Sequence, residues 1–188
     1  MKLHVNNVVK SCNYQLRQIG RARRFLTYEA TEKVIHAFLS SRLDCGNSLL
    51  YGLPDNQITK LQRVQNIAAR ILTKTRKHEH ISPILQQLHW LPVSKRINIK
   101  IITLTFKCLH DKAPSYLQDL IVLQSPARVT RSSDKCLLQV PNSKHITMGD
   151  RSFAVAAPTL WNRLPDDIRM CDSYSTFKSK LMTYLLKQ

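Results

Sequence analysis

The stretch Asp55–Lys77, which reads DNQITKLQRVQNIAARILTKTRK, decides the fold class of this chain. Its apolar residues recur every three or four positions, and that spacing places them on one side of an α-helix. They are Ile58, Leu61, Val64, Ala68, Ile71 and Leu72. Gly52-Leu53-Pro54 precedes the stretch as a loop, and Asp55 is suited to cap the helix. We therefore predict a helix from Asp55 to about Lys77.

The same periodicity extends in both directions from this stretch. On its N-terminal side it predicts one helix through Val5–Ile19, interrupted by Gly20, and a second after a Thr27 N-cap, with Val34, Ile35, Phe38, Leu39 and Leu43 on its apolar side. On its C-terminal side it predicts helices over Ser82–His89, Ser94–Leu109, 115–122, Phe153–Trp161 and Ser173–Lys187.

Turn-forming residues dominate positions 124–150, where we predict loops and one short strand or hairpin around Lys135–Val140. The fold class is thus mainly α. We expect a small helical bundle that forms a basic domain over 1–123. A loop-rich segment with terminal helices follows over 124–188.

The charge of the chain is its most unusual property. The 188 residues carry 29 Lys and Arg against 12 Asp and Glu, a formal net charge of +17. Self-repulsion at that charge opposes a compact state, so an anionic partner is the simplest physical reason to retain it. A basic protein of this kind suits RNA, DNA or RNA–DNA hybrid backbones.

Basic residues also share helix faces, and such rows suit contacts with phosphate oxygens. The first row consists of Lys60, Arg63, Arg70, Lys74 and Lys77, and a second consists of Arg96, Lys100 and Lys107. We predict these eight residues as the nucleic-acid-binding site. A third cluster, Arg21, Arg23 and Arg24, is flanked by Phe25 and Tyr28, which either stack on bases or pack in the core. A solvated helix face is the alternative for each row.

Other function classes find little support. No P-loop, nucleophile elbow or dinucleotide fingerprint occurs, and Asp166-Asp167 suits a helix N-terminus better than a two-metal site. His78-x-His80 and Cys108-x-His110 are poorly spaced for zinc on a helix, and Trp90 and Trp161 suit core anchors. We expect no catalytic or metal site, no cofactor, no small-molecule substrate and no membrane partner. Five scattered cysteines and a polar N-terminus predict an intracellular, non-secreted protein, in nucleus or cytoplasm.

Several strings are more specific than spacing alone. They are SRLDCGNSLLYGLP at Ser41–Pro54, LQRVQNIAAR at Leu61–Arg70, LHWLPV at Leu88–Val93, FKCLH at Phe106–His110 and AAPTLWN at Ala156–Asn162. In this order they resemble the C-terminal part of the reverse transcriptase of non-LTR retrotransposons, the LINE elements of the jockey-like and chicken-repeat-like groups. The resemblance spans nearly the whole chain.

This resemblance implies the helical thumb and the segment beyond it, with the polymerase palm upstream as a partner in a complete element. The aromatic-Ala-Asp-Asp strand of that family does not occur in this sequence. We therefore expect no polymerase activity, and non-specific binding of RNA or DNA backbone through the basic helices. A protein-interaction module and a non-functional relic of a retroelement are the alternatives. Polymerisation with a separately supplied palm is a third, less favoured one.

Overall fold

The computed structural model describes residues 1–124, 136–142 and 149–187, and over these the chain is mainly helical, as predicted. It forms two compact units, 1–97 and 98–188. The boundary between the two units lies between Ile97 and Asn98, inside a helix. The boundary predicted from the change in composition lies between 123 and 124. Whether 1–123 acts as a domain stays a prediction.

The first unit is built from helices joined by short turns. They are α1 (Lys2–Ala22), α2 (Tyr28–Ile35), α3 (Ser41–Asp44), α4 (Asp55–Thr73), α5 (Ser82–Gln87) and the first turn of α6 (Val93–Leu109). A π-helical turn over His36–Ser40 joins α2 to α3, and 3-10 turns occupy Arg23–Phe25 and Asn47–Leu50. Thr27 caps α2 as predicted, because its side chain accepts a hydrogen bond from the Ala30 amide at 3.2 Å.

The pairing of α1 with α4 organises this unit. Asn6 contacts Lys60 near the N-terminal ends, and Gly20 faces Ile71 near the C-terminal ends, so the two helices run parallel. Their buried apolar residues are Val5, Cys12, Leu16 and Ile19 on α1 and Leu61, Val64, Ala68, Ala69 and Leu72 on α4. Full burial of one such leucine contributes about 1.5–3 kcal/mol to stability.

Two glutamines of α4 hold the chain where α6 begins. The buried Gln65 amide donates to the Leu91 carbonyl at 2.8 Å, and the Gln62 side-chain oxygen accepts from the Val93 amide at 2.9 Å. Gln62 also donates to the Gln65 side-chain oxygen at 3.1 Å, so each amide orients the other. The polar positions of the LQRVQN string therefore have a structural role, because they satisfy backbone groups beside the proline turn.

Several predicted boundaries differ from the structure. Helix α1 continues through Gly20 to Ala22, whereas α4 ends at Thr73, earlier than the predicted Lys77. Lys74 has a left-handed backbone with φ 57°, which stops the helix. Of the residues expected on the apolar side of the second helix, Ile35, Leu39 and Leu43 are buried and Phe38 is exposed, because the π-helical turn shifts the helix register.

The second unit packs the rest of α6 with the C-terminal helices. These are α7 (Ser115–Gln118), α8 (Phe153–Trp161), α9 (Asp166–Arg169) and α10 (Tyr174–Lys187). The rings of Phe106 and Phe177 stack at 4.2 Å between centroids, and Trp161 is fully buried, as predicted for a core anchor. Trp90, in the first unit, is only half-buried.

The predicted strand over Lys135–Val140 is reduced to a single antiparallel bridge between Leu123 and Leu138. Asn162 completes it, since its side chain accepts from the Leu138 amide at 2.9 Å and donates to the Leu138 carbonyl at 2.8 Å. No hairpin is seen in the described part of the chain, and the rest of the loop-rich prediction, 125–135 and 143–148, lies outside it.

Replacing Gly20 by Ala is expected to stabilise the protein by about 0.5–1 kcal/mol, because Gly20 lies inside α1 and glycine disfavours the helix interior. A Cβ there would lie 3.8 Å from the Ile71 Cδ1 atom, an ordinary contact. Urea denaturation of the full chain measures the change. Gly46→Ala is the control and is expected to destabilise, because Gly46 has φ 62°. Destabilisation by Gly20→Ala would contradict this account of the α1–α4 contact.

Candidate nucleic-acid interface

A groove lies along the α1–α4 pair on the surface of the first unit. Its volume is about 570 Å³, and α1 supplies most of its lining. The lining residues are Asn6, Val9, Lys10, Asn13, Tyr14 and Arg17 of α1 and Lys60 of α4. The groove follows from the helix pairing, since the residues that flank two buried apolar faces necessarily border the seam between them.

The groove is strongly basic. Lys10, Arg17 and Lys60 line it, and none of its lining residues is acidic. The whole of α1 contains no Asp or Glu, so no carboxylate on that helix offsets these charges. The Lys60 ammonium donates to the Asn6 side-chain oxygen at 3.0 Å, which holds one cation between the two helices. The arrangement suits phosphate oxygens, which bind ammonium and guanidinium groups through charge-assisted hydrogen bonds.

The residues of the first predicted row have different surroundings in the structure. Lys60 lines the groove, and Arg63, one turn further along α4, is exposed. Arg70 is committed elsewhere, because its guanidinium donates to the carbonyls of Arg76 and Glu79, the latter at 2.7 Å. Lys74 and Lys77 are exposed but lie beyond the end of α4. The five residues therefore do not form one continuous helical row.

The second predicted row is divided as well. Arg96 forms a bidentate ion pair with Asp44, with Nε 2.9 Å from Oδ1, and its side chain is only 20% exposed. Lys100 belongs to the second unit and is exposed. The Lys107 ammonium lies 5.5 Å from the centre of the Tyr174 ring, a cation–π contact. Lys100 is thus the exposed member of this row.

The third cluster contains a structural arginine. The Arg23 guanidinium donates to the carbonyls of Ile71 and Leu72, each at 3.1 Å, and to that of Leu26 at 2.9 Å. It therefore satisfies the last carbonyls of α4, which a helix cannot satisfy internally. Arg24 is exposed and lies 4.7 Å from the centre of the Phe25 ring, which is itself exposed.

The sequence-based site omitted Lys10, Tyr14 and Arg17, which the structure brings together with Lys60. Their spacing of four and three residues is itself a helical signal. The absence of acidic residues over Lys2–Ala22 was a second signal available in the sequence. Neither signal indicates that α4 lies beside this face, so only the structure could combine the two helices.

Among the side chains that could in principle serve catalysis, the paired acids lie at a helix terminus, and Cys12 and Cys108 are buried. Asp166 and Asp167 lie in the first turn of α9, as expected for acids near a helix N-terminus, although Pro165 occupies the cap position. No group of three or more His, Cys, Asp or Glu side chains in the described part of the chain could hold a metal ion. Burial raises the pKa of the Cys12 and Cys108 thiols, which disfavours the reactive thiolate.

None of the helices in the described ranges has the length and hydropathy needed to cross a membrane.

No family model, curated protein or solved structure matches this chain. The likeness to non-LTR reverse transcriptases accordingly rests on the ordered strings quoted above and stays a prediction.

Replacing Arg23 by Ala is expected to destabilise the protein by about 1–3 kcal/mol, because it leaves carbonyls at the end of α4 without their donor. Arg24→Ala is the matched control, and we expect it to change stability by less than about 0.5 kcal/mol. Thermal unfolding of both variants measures the difference. Equal stabilities would show that Arg23 does not hold α4.

Proposed function

We propose that the first unit binds the backbone of RNA or DNA without sequence preference, through Lys10, Arg17, Lys60 and Arg63 around the α1–α4 groove. The observation that carries this proposal is the groove itself, which presents three cations and no carboxylate among its lining residues. Each phosphate that such cations neutralise releases condensed counterions, which favours binding at low salt.

The remaining predicted residues have different parts in this proposal. Lys74 and Lys77 are exposed and extend the positive surface beyond α4. Lys100 offers a separate contact on the second unit. Arg70, Arg96 and Lys107 have intramolecular partners, so we assign them to stability more than to binding.

The family resemblance supports the same proposal from a different direction. A region similar to a reverse transcriptase thumb would have contacted template and primer through its helices, and the basic groove is suited to that task. We propose that the chain retains this contact and does not polymerise, because its sequence contains no aromatic-Ala-Asp-Asp strand.

The test is fluorescence anisotropy of the full chain with a labelled RNA–DNA hybrid, titrated at several salt concentrations. The triple variant Lys10→Glu, Arg17→Glu, Arg63→Glu is expected to bind at least about 10-fold more weakly. The slope of log affinity against log salt should fall by about 2–3, since three phosphate contacts are lost.

A triple variant with the same charge change is the control. Lys112→Glu, Arg163→Glu and Lys178→Glu alter three exposed cations of the second unit and leave the groove intact. We expect its affinity to remain within about threefold of the unmodified chain, by the usual weakness of screened long-range effects. Equal losses in both variants, or a flat salt dependence, would reject the groove as the binding site.

A further inference from the structure

An aromatic ring stands among the cations of the groove. Tyr14 is 60% exposed and lies on α1, four residues after Lys10 and three before Arg17. At 1.5 Å of rise per residue, the Tyr14 Cα lies about 6 Å along the helix axis from that of Lys10 and about 4.5 Å from that of Arg17. Tyr14 is the one aromatic residue among those that line the groove, whereas Cys12 and Leu16, the apolar residues nearest to it along α1, are buried.

We propose that the groove binds single-stranded nucleic acid, with one base stacked on the Tyr14 ring and the flanking phosphates on Lys10 and Arg17. This inference rests on the proposed function and names its substrate class. Aromatic side chains between backbone-binding cations are the arrangement with which proteins hold single strands of any sequence, because every base has a π-face.

The ring distinguishes a single strand from a duplex. In a duplex each base is stacked between its neighbours, so its face is not available to a side chain without the cost of unstacking. The phosphates of a duplex still reach Lys10 and Arg17, but Tyr14 contributes nothing to that contact. The ring therefore adds affinity for single strands alone.

The rest of the lining suits a nucleotide. The amides of Asn6 and Asn13 provide donors and acceptors that base edges and sugar hydroxyls can use, and Val9 adds apolar surface. The volume of about 570 Å³ lies within the range of sites that accept small organic groups. An acidic protein would also meet the cations, but it would not need an exposed ring between them.

The experiment compares Tyr14 variants of the full chain in anisotropy titrations. The probes are a labelled 12-nucleotide RNA, the DNA strand of the same sequence, and the blunt DNA duplex. Tyr14→Ala is expected to weaken binding of both single strands by about 5- to 150-fold, the usual contribution of one stacked base. Duplex binding should change less than twofold, and Tyr14→Phe should retain single-strand affinity because it keeps the ring.

Tyr14→Leu is the control that separates a loss of stacking from a loss of folding, because it keeps an apolar side chain but has no π-face. It should match Tyr14→Ala in binding and the unmodified chain in thermal unfolding. A Leu variant that binds single strands normally would overturn the stacking proposal. So would equal losses on single strand and duplex.

The charge-reversal variant Lys10→Glu, Arg17→Glu, Arg63→Glu separates the two proposals. If it loses binding while Tyr14→Ala does not, the stacking inference fails and backbone binding stands. If neither loses binding, both fail. The last experiment is competition with polyglutamate. If polyglutamate displaces the single strand as effectively as unlabelled DNA of equal charge does, the proposed recognition of bases is overturned.

Discussion

The parallel pairing of α1 with α4 is the constraint on which the first unit depends. Each helix has one apolar side, and burying the two sides against each other leaves the flanking residues at the seam. On α1 the half-buried Val9 and Asn13 flank the apolar side, the exposed Lys10, Tyr14 and Arg17 lie further from it, and all five line the groove together with Lys60 of α4. The basic groove is therefore a consequence of core formation, because the same contact that excludes water from the leucines gathers cations from two distant parts of the sequence.

Polar side chains then fix where the paired helices end. Arg23 donates to the final carbonyls of α4, and Arg70 donates to the carbonyls of the loop that follows. Gln65 holds the Leu91 carbonyl before α6 begins. Because the guanidinium groups of Arg23 and Arg70 already bind carbonyls of the protein, the net charge is larger than the positive charge available to an anionic partner. The arginines that cap and bridge helices contribute to stability, whereas Lys10 and Arg17 along the groove are exposed.

The proposed recognition of single strands depends on the exposed ring of Tyr14, because a positive surface alone would suit any polyanion. Cations attract the phosphates of single strands and duplexes as well as the carboxylates of acidic proteins, whereas a π-face adds affinity for a base that can stack on it. The groove combines both features within two turns of one helix. In the second unit, Phe106, Trp161 and Phe177 form an aromatic core, and Lys100 is exposed.

The sequence alone was sufficient to predict most of the helices. Apolar spacing predicted helices over Asp55–Lys77, Ser94–Leu109 and Phe153–Trp161, and the structure has them at Asp55–Thr73, Val93–Leu109 and Phe153–Trp161. Thr27 was correctly identified as a cap. Both features depend on neighbours within a few positions. The likeness to retrotransposon reverse transcriptases and the activity it implies remain predictions. Contacts between residues that are distant in sequence could not be predicted from it. Only the tertiary structure showed that Arg96 pairs with Asp44, that Arg23 caps α4, and that Lys10, Tyr14 and Arg17 line one groove with Lys60. Periodicity specifies which side of a helix is buried, but the partner helix is chosen by the packing of the whole unit.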